Sequence, residues 1–157
     1  MKISFARLSA TVAIAATTLL AIPFGAFAQT APNYNYVGIG GGDDGFVVNG
    51  KVSVADNVSI RPEVATDFDF NDSEDVSYLV PITYDFNSIG TDDYQFNPFL
   101  GAGVGGAVGE DSTAEFAVVA GADYRFADKY VANGAVNYSP FADSDEVGFT
   151  VGVGRTF

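Results

Sequence analysis

The sequence predicts an all-β chain folded as an eight-stranded antiparallel up-and-down barrel, and three observations point there. From residue 33 onward apolar side chains recur at every second position, and no stripe recurs at three and four, so the period is that of a strand. Eight such segments are joined by seven short links, none long enough for a crossover helix, so neighbours must run antiparallel. A sheet of that size avoids exposed edges most simply by pairing its first and last strands.

The segments are Asn33–Gly41, Gly45–Ala55, Val58–Phe68, Asp75–Phe86, Tyr94–Ala107, Thr113–Phe126, Tyr130–Ser139 and Glu146–Phe157. The third is the clearest: Val58, Ile60, Pro62, Val64, Thr66 and Phe68 share one face, with Ser59, Arg61, Glu63, Ala65 and Asp67 on the other. The fourth gathers Val76, Tyr78, Val80, Ile82, Tyr84 and Phe86; the eighth sets Val147, Phe149, Val151 and Val153 against Gly148, Thr150, Gly152 and Gly154. Tight turns are expected at Ala55–Asn57 and Ala127–Lys129, the three-residue links of a hairpin with a bulge. Pro62 and Pro81 fall inside the third and fourth segments. A closed barrel has no free edge for a residue without an N–H, so bulges or shifted strand limits are expected there.

Composition removes whole classes of chemistry. The 157 residues contain no Cys and no His, which excludes disulfides, the usual zinc and haem sites, and Ser-His or Cys-His catalytic pairs. With 20 acidic against 7 basic side chains, the chain carries no basic surface for nucleic acid. Charged residues make up only 17 %, against about a quarter in ordinary soluble domains.

The first 28 residues read as a cleaved signal peptide. Lys2 and Arg7 precede the run Leu8–Ile22, Pro23 and Gly25 break it, and Ala26-Phe27-Ala28 offers the small-x-small site of a signal peptidase. That run is shorter than the roughly 20 apolar residues of a membrane-spanning helix. Residues 29–157 are then the barrel domain, with 5 basic and 20 acidic side chains.

Alternation alone does not say which face is outside. Beyond Gly, Ala, Ser, Asn and Thr, the non-apolar face carries Lys51, Arg61, Glu63, Asp123 and Arg125, a set suited to a narrow lumen with internal ion pairs. Aromatics gather towards strand ends. Tyr36, Tyr84, Phe86, Tyr94, Phe96, Tyr124, Phe126, Tyr130 and Phe157 are expected at one rim. Phe46, Phe68, Tyr78, Phe116, Tyr138 and Phe149 are expected at the other. Two aromatic girdles around an aliphatic belt are what two lipid interfaces select. Ten residues at ~3.3 Å, tilted about 40°, rise roughly 25 Å, the height of an outer-membrane apolar band. The expected architecture is therefore a transmembrane β-barrel.

The opening YVGIGGG, the mid-chain NPFLGAGVGGA, AGADYRFADKY and the closing VGFTVGVGRTF together resemble the small bacterial outer-membrane β-barrel proteins, the OmpA/OmpX-like or porin-family group. The resemblance spans the whole of residues 29–157. It implies residence in the bacterial outer membrane, contact with membrane lipid, and recognition of the terminal aromatic strand, here ending on Phe157, by the barrel-assembly machinery. Arg155 departs from the family pattern, which has an apolar residue or Tyr at that place; near the rim its guanidinium can snorkel to the interface.

Two constellations are candidates for chemistry. Lys51 lies across from Arg61, with Glu63 diagonal to Lys51, and Asp123 and Arg125 complete a lumen ion network from the far wall. The network reads either as mutual neutralisation of buried charge or as a gate that exchanges partners. The acidic links are the second: Asp67, Asp69, Asp72, Glu74 and Asp75, with Asp43-Asp44, Glu110-Asp111 and Asp143, Asp145 and Glu146. They are weak candidates for divalent cations, Ca²⁺ or Mg²⁺. Asp67, Asp69 and Asn71 start like a calcium loop, but Asp72 stands where Gly is required and Tyr78 where the bidentate Glu belongs. A solvated acidic rim is the plainer reading.

No enzyme is expected. His is absent, a pair of carboxylates needs a cleft that short-linked strands do not offer, and GAGVGG is followed by neither Lys nor helix. The sequence thus reads as a non-enzymatic integral outer-membrane barrel with a structural or surface role, open to a minor small-solute conductance, and without a cofactor. Two alternatives stay open. One is a secreted or periplasmic lipocalin-like carrier of small hydrophobic ligands, with the apolar face inward; the other is a cation-dependent surface adhesion protein.

Overall fold

The computed structural model describes residues 33–66, 76–91, 93–108, 112, 114–140 and 146–157. The expected signal peptide, Phe68, the acids between Asp67 and Asp75, Glu110, Asp111, Asp143 and Asp145 lie outside them. Strands run in chain order: β1 Tyr36–Gly42, β2 Gly45–Ala55, β3 Val58–Ile60, β4 Glu63–Thr66, β5 Val76–Asp85, β6 Ile89–Gly90, β7 Tyr94–Val108, β8 Glu115–Phe126, β9 Tyr130–Ser139 and β10 Glu146–Thr156. Because β3 and β4 are halves of one barrel strand and β6 is a two-residue spur on β7, eight strands make the wall. Each pairs antiparallel with its successor, and β1 pairs with β10 from Tyr36↔Thr156 to Gly42↔Thr150, closing the sheet on itself.

Side chains sort by parity. Val37, Ile39, Val80, Ile82, Val104, Val151 and Val153 point outward, with Ile82 60 % exposed, while Lys51, Ser59, Thr83, Asp85, Asn97 and Asp123 are buried inside. The arrangement inverts that of a soluble carrier, whose apolar face must turn inward. An aliphatic exterior of this kind is a surface made for hydrocarbon.

Aromatic rings mark both ends of the aliphatic belt. At the end that holds Asn33 and Phe157, Tyr94, Tyr124, Phe126 and Tyr130 stack in succession with centroids 6.0–6.5 Å apart, and Tyr84 meets Phe86 edge-on at 5.3 Å. At the opposite end Phe116, Tyr138 and Phe149 are exposed. Tyr36 is a correction: it was expected on the rim but lies in the lumen at 4 % exposure, because Val37 and Ile39 take the outward parity of β1.

The two prolines are accommodated without a bulge of their own. The register of β2 with β3 and β4 runs unbroken across the gap, Val52↔Ile60 on one side and Asn49↔Glu63 on the other. Gly50 N donates to the Pro62 carbonyl at 3.0 Å and Arg61 N to the Pro81 carbonyl at 3.1 Å, so each proline still accepts, although it cannot donate. Both missing donors thus fall beside Arg61, where the strand divides. The bulge of this hairpin sits instead at Ser53–Ala55, leaving Asp56-Asn57 as the turn, with Asn57 at φ 62°.

Glycine lets the wall curve tightly. A Cβ on Gly40 would stand 2.1 Å from the Val151 carbonyl oxygen, and one on Gly101 2.2 Å from that of Ile82.

Candidate functional site

A layer of buried polar side chains crosses the lumen near the end that holds the termini. Its centre is Arg61, at the break between β3 and β4. Nη1 and Nη2 of Arg61 grip Asp123 on β8 at 3.0 and 2.9 Å, and Nη2 also reaches Asp85 on β5 at 3.0 Å. Nε donates to Thr83 Oγ1 at 3.1 Å and Nη1 to the Tyr36 hydroxyl at 3.5 Å. The five N–H donors of a guanidinium are thereby all occupied. Beneath the plane of the guanidinium lies the Phe99 ring, 3.6 Å from Cζ.

Lys51, fully buried, pairs with Asp85 Oδ2 at 2.9 Å, and Ser59 Oγ donates to the same oxygen. Ahead of β1, the chain bends into the barrel mouth. Tyr34 donates its hydroxyl to Asp123 at 2.6 Å, and its ring is flanked by Lys51 Nζ at 3.9 Å and the Arg125 guanidinium at 4.8 Å. Asn35 fixes this segment, accepting from Ser53 N through its side chain and from Phe157 N through its carbonyl. Two cations and two carboxylates balance in this septum, each charge partnered by its opposite.

The sequence-predicted residues are placed as follows. Lys51, Arg61 and Asp123 meet in the septum. Arg125 faces it through Tyr34 while donating to Gln95 Oε1 at 2.8 Å. Glu63 stands apart: the expected diagonal pair with Lys51 is replaced by Lys51–Asp85, and Glu63 accepts from Thr150 Oγ1 at 2.7 Å instead. Asp85, Tyr34 and Phe99 are among the septum residues that sequence reasoning missed, with Ser59, Thr83 and Tyr36. Parity alone puts Asp85 and Phe99 inside, since Tyr84 and Leu100 are outside. Phe157 ends the chain at the girdle, 78 % exposed.

On the other side of the septum the lumen widens into a vestibule of about 480 Å³. Asp43, Asp44, Glu63 and Glu115 line it, and among the described residues no Lys or Arg does. Asp44 accepts from Ser77 Oγ at 2.8 Å and Asp43 from Phe149 N at 2.8 Å. Among the described residues no cluster of three acidic side chains is disposed to hold a metal ion.

No protein-family model matches the sequence, and no curated protein matches it. Solved structures do. The N-terminal β-barrel domain of Pseudomonas aeruginosa OprF superposes with a TM-score of 0.59 at 16 % identity, covering 81 % of this chain and 99 % of that one. Ail, the attachment invasion locus protein of Yersinia pestis, gives 0.51 at 19 % identity, over 79 % of this chain and 97 % of its own. A de novo designed transmembrane β-barrel gives 0.50 at 16 % identity, over 82 % and 99 %. The fold is that of the small outer-membrane β-barrels. The match spans nearly the full length of these three neighbours.

Proposed function

We propose that this chain is a non-enzymatic integral protein of the bacterial outer membrane, exported by the signal in residues 1–28, whose barrel serves as a closed structural or surface element rather than a pore. The observation that carries the reading is the septum. Arg61, Asp85, Asp123 and Lys51 are all buried and ion-paired inside the lumen, with Arg61–Asp123 crossing it, between rims that aromatic rings mark for a bilayer. A bonded guanidinium stacked on the Phe99 ring at the centre of the lumen supports this reading, because breaking a buried pair is strongly unfavourable.

Planar-bilayer recording tests it. The folded chain should give no channel steps, whereas the double variant Arg61→Ala/Asp123→Ala, which empties the centre of the septum, should give small ones. Steps from the unaltered chain at the frequency of the double variant would overturn the closed-lumen reading.

A further inference from the structure

Between the vestibule and the septum lies a second cavity of about 30 Å³, lined by three asparagines, Asn49 on β2 and Asn133 and Asn137 on β9; the first two are bonded to each other. Asn49 Nδ2 donates to Asn133 Oδ1 at 2.8 Å. That one bond leaves Asn49 Oδ1 and Asn133 Nδ2 buried and without a partner. Exchanging O and N in both amides reverses the bond and still leaves one acceptor and one donor over, so the deficit does not depend on how the amides are oriented. Asn49 is only 7 % exposed.

The wall is shaped around the pair. Gly38 and Gly152 stand opposite Asn49 and Asn133 in register. A Cβ at Gly38 would lie 2.7 Å from Asn49 Oδ1, and one at Gly152 3.2 Å from Asn133 Oδ1. Thr150 and Glu63 also border the cavity, as do Arg61 and Phe99 at its septum side.

We infer that this cavity is a hydration site: a water molecule bridges the free carbonyl oxygen of one amide and the free NH₂ of the other. A cation would satisfy the orphaned oxygen and repel the NH₂; an anion would do the reverse. Water alone accepts and donates at once, and the volume exceeds what one water requires. Glu63, Leu79 and Asn137 line both cavities, so the site forms the inner end of the vestibule. Solvent then reaches the upper surface of Arg61, and the septum is the whole of the barrier. This inference rests on the closed-lumen reading only for that last consequence; hydration of the amides and conductance are read by separate experiments.

The test is water-to-amide cross-relaxation on the isotope-labelled protein folded in phospholipid nanodiscs. The side-chain NH₂ protons of Asn49 and Asn133 should both show contact with a long-lived water, and addition of sodium or calcium chloride should leave it in place. In the double variant Asn49→Leu/Asn133→Leu the long-lived contact should disappear from the neighbouring Thr150 hydroxyl and Gly38 amide protons. Absence of a water contact at both native amides would overturn the site. So would its displacement by either salt with a shift at Asn49 alone, which would make the occupant a cation.

Discussion

Arg61 and Asp123 stand on opposite walls of the barrel and meet as a bidentate pair, Nη1–Oδ1 at 3.0 Å and Nη2–Oδ2 at 2.9 Å. Two parallel charge-assisted bonds at this spacing fix the guanidinium plane as well as its position. The break that Pro62 and Pro81 impose on the ladder falls at the same place. The wall is weakest in backbone bonds where the lumen is strongest in side-chain bonds.

Removing the guanidinium should therefore be severe. Arg61→Leu leaves Asp123, among the described residues, with the Tyr34 and Tyr36 hydroxyls and is expected to cost about 3–5 kcal/mol of stability, the range for breaking a buried ion pair. Adding Asp123→Asn should recover part of that loss, because a neutral amide replaces a stranded carboxylate. Urea unfolding in lipid vesicles, followed by tyrosine fluorescence, reads both.

Tyr34 contributes to the septum in two separable ways, through its hydroxyl on Asp123 and its ring between Lys51 and Arg125. Tyr34→Phe should lose about 1–3 kcal/mol, the cost of a buried hydrogen bond to a charged group. Tyr34→Ala should lose clearly more, since the ring goes too. Equal losses for the two variants would show that the ring does nothing.

Much of this was legible in the chain and some was not. All eight wall strands follow from alternation, because a half-buried strand has a period of two whatever its surroundings. Orientation was legible too, since few ions on the small face and rings at both rims favour a lipid-facing exterior over that of a soluble carrier. Partner choice inside the lumen was not. Asp85 meets Lys51 and Arg61 because long side chains on the neighbouring strands β2, β3/β4 and β5 slant along the lumen to one carboxylate, a slant that the alternation of residues does not encode. Glu63 goes to Thr150 on β10 across the lumen, which alternation does not encode either. Tyr36 was misplaced for a different cause: counting aromatics by their nearness to a strand end overrode the parity of Val37 and Ile39.

The glycine spacing makes a paired prediction. A Cβ on Gly40 collides with the Val151 carbonyl at 2.1 Å, whereas one on Gly41 meets its nearest neighbour at 3.4 Å. Gly40→Ala should lower stability by roughly 1–3 kcal/mol, as overpacking does, and Gly41→Ala by less than about 0.5 kcal/mol. Heat-modifiable migration on gels, scored across a temperature series, separates the two.

Charge on the exterior should be expensive only in the belt. Ile39 sits midway along β1 and is 55 % exposed. Ile39→Arg should cost about 2–4 kcal/mol in a bilayer, and the same change at Tyr130, on the girdle, about 0–1 kcal/mol. A soluble exterior would show no such depth dependence.

The lipid-facing exterior is tested most directly by taking the amphiphile away. Residues 29–157, refolded from urea, should reach a heat-modifiable β-sheet form in detergent or vesicles and should aggregate when diluted into plain buffer. A folded, monodisperse monomer in buffer alone, by circular dichroism and light scattering, would contradict the account.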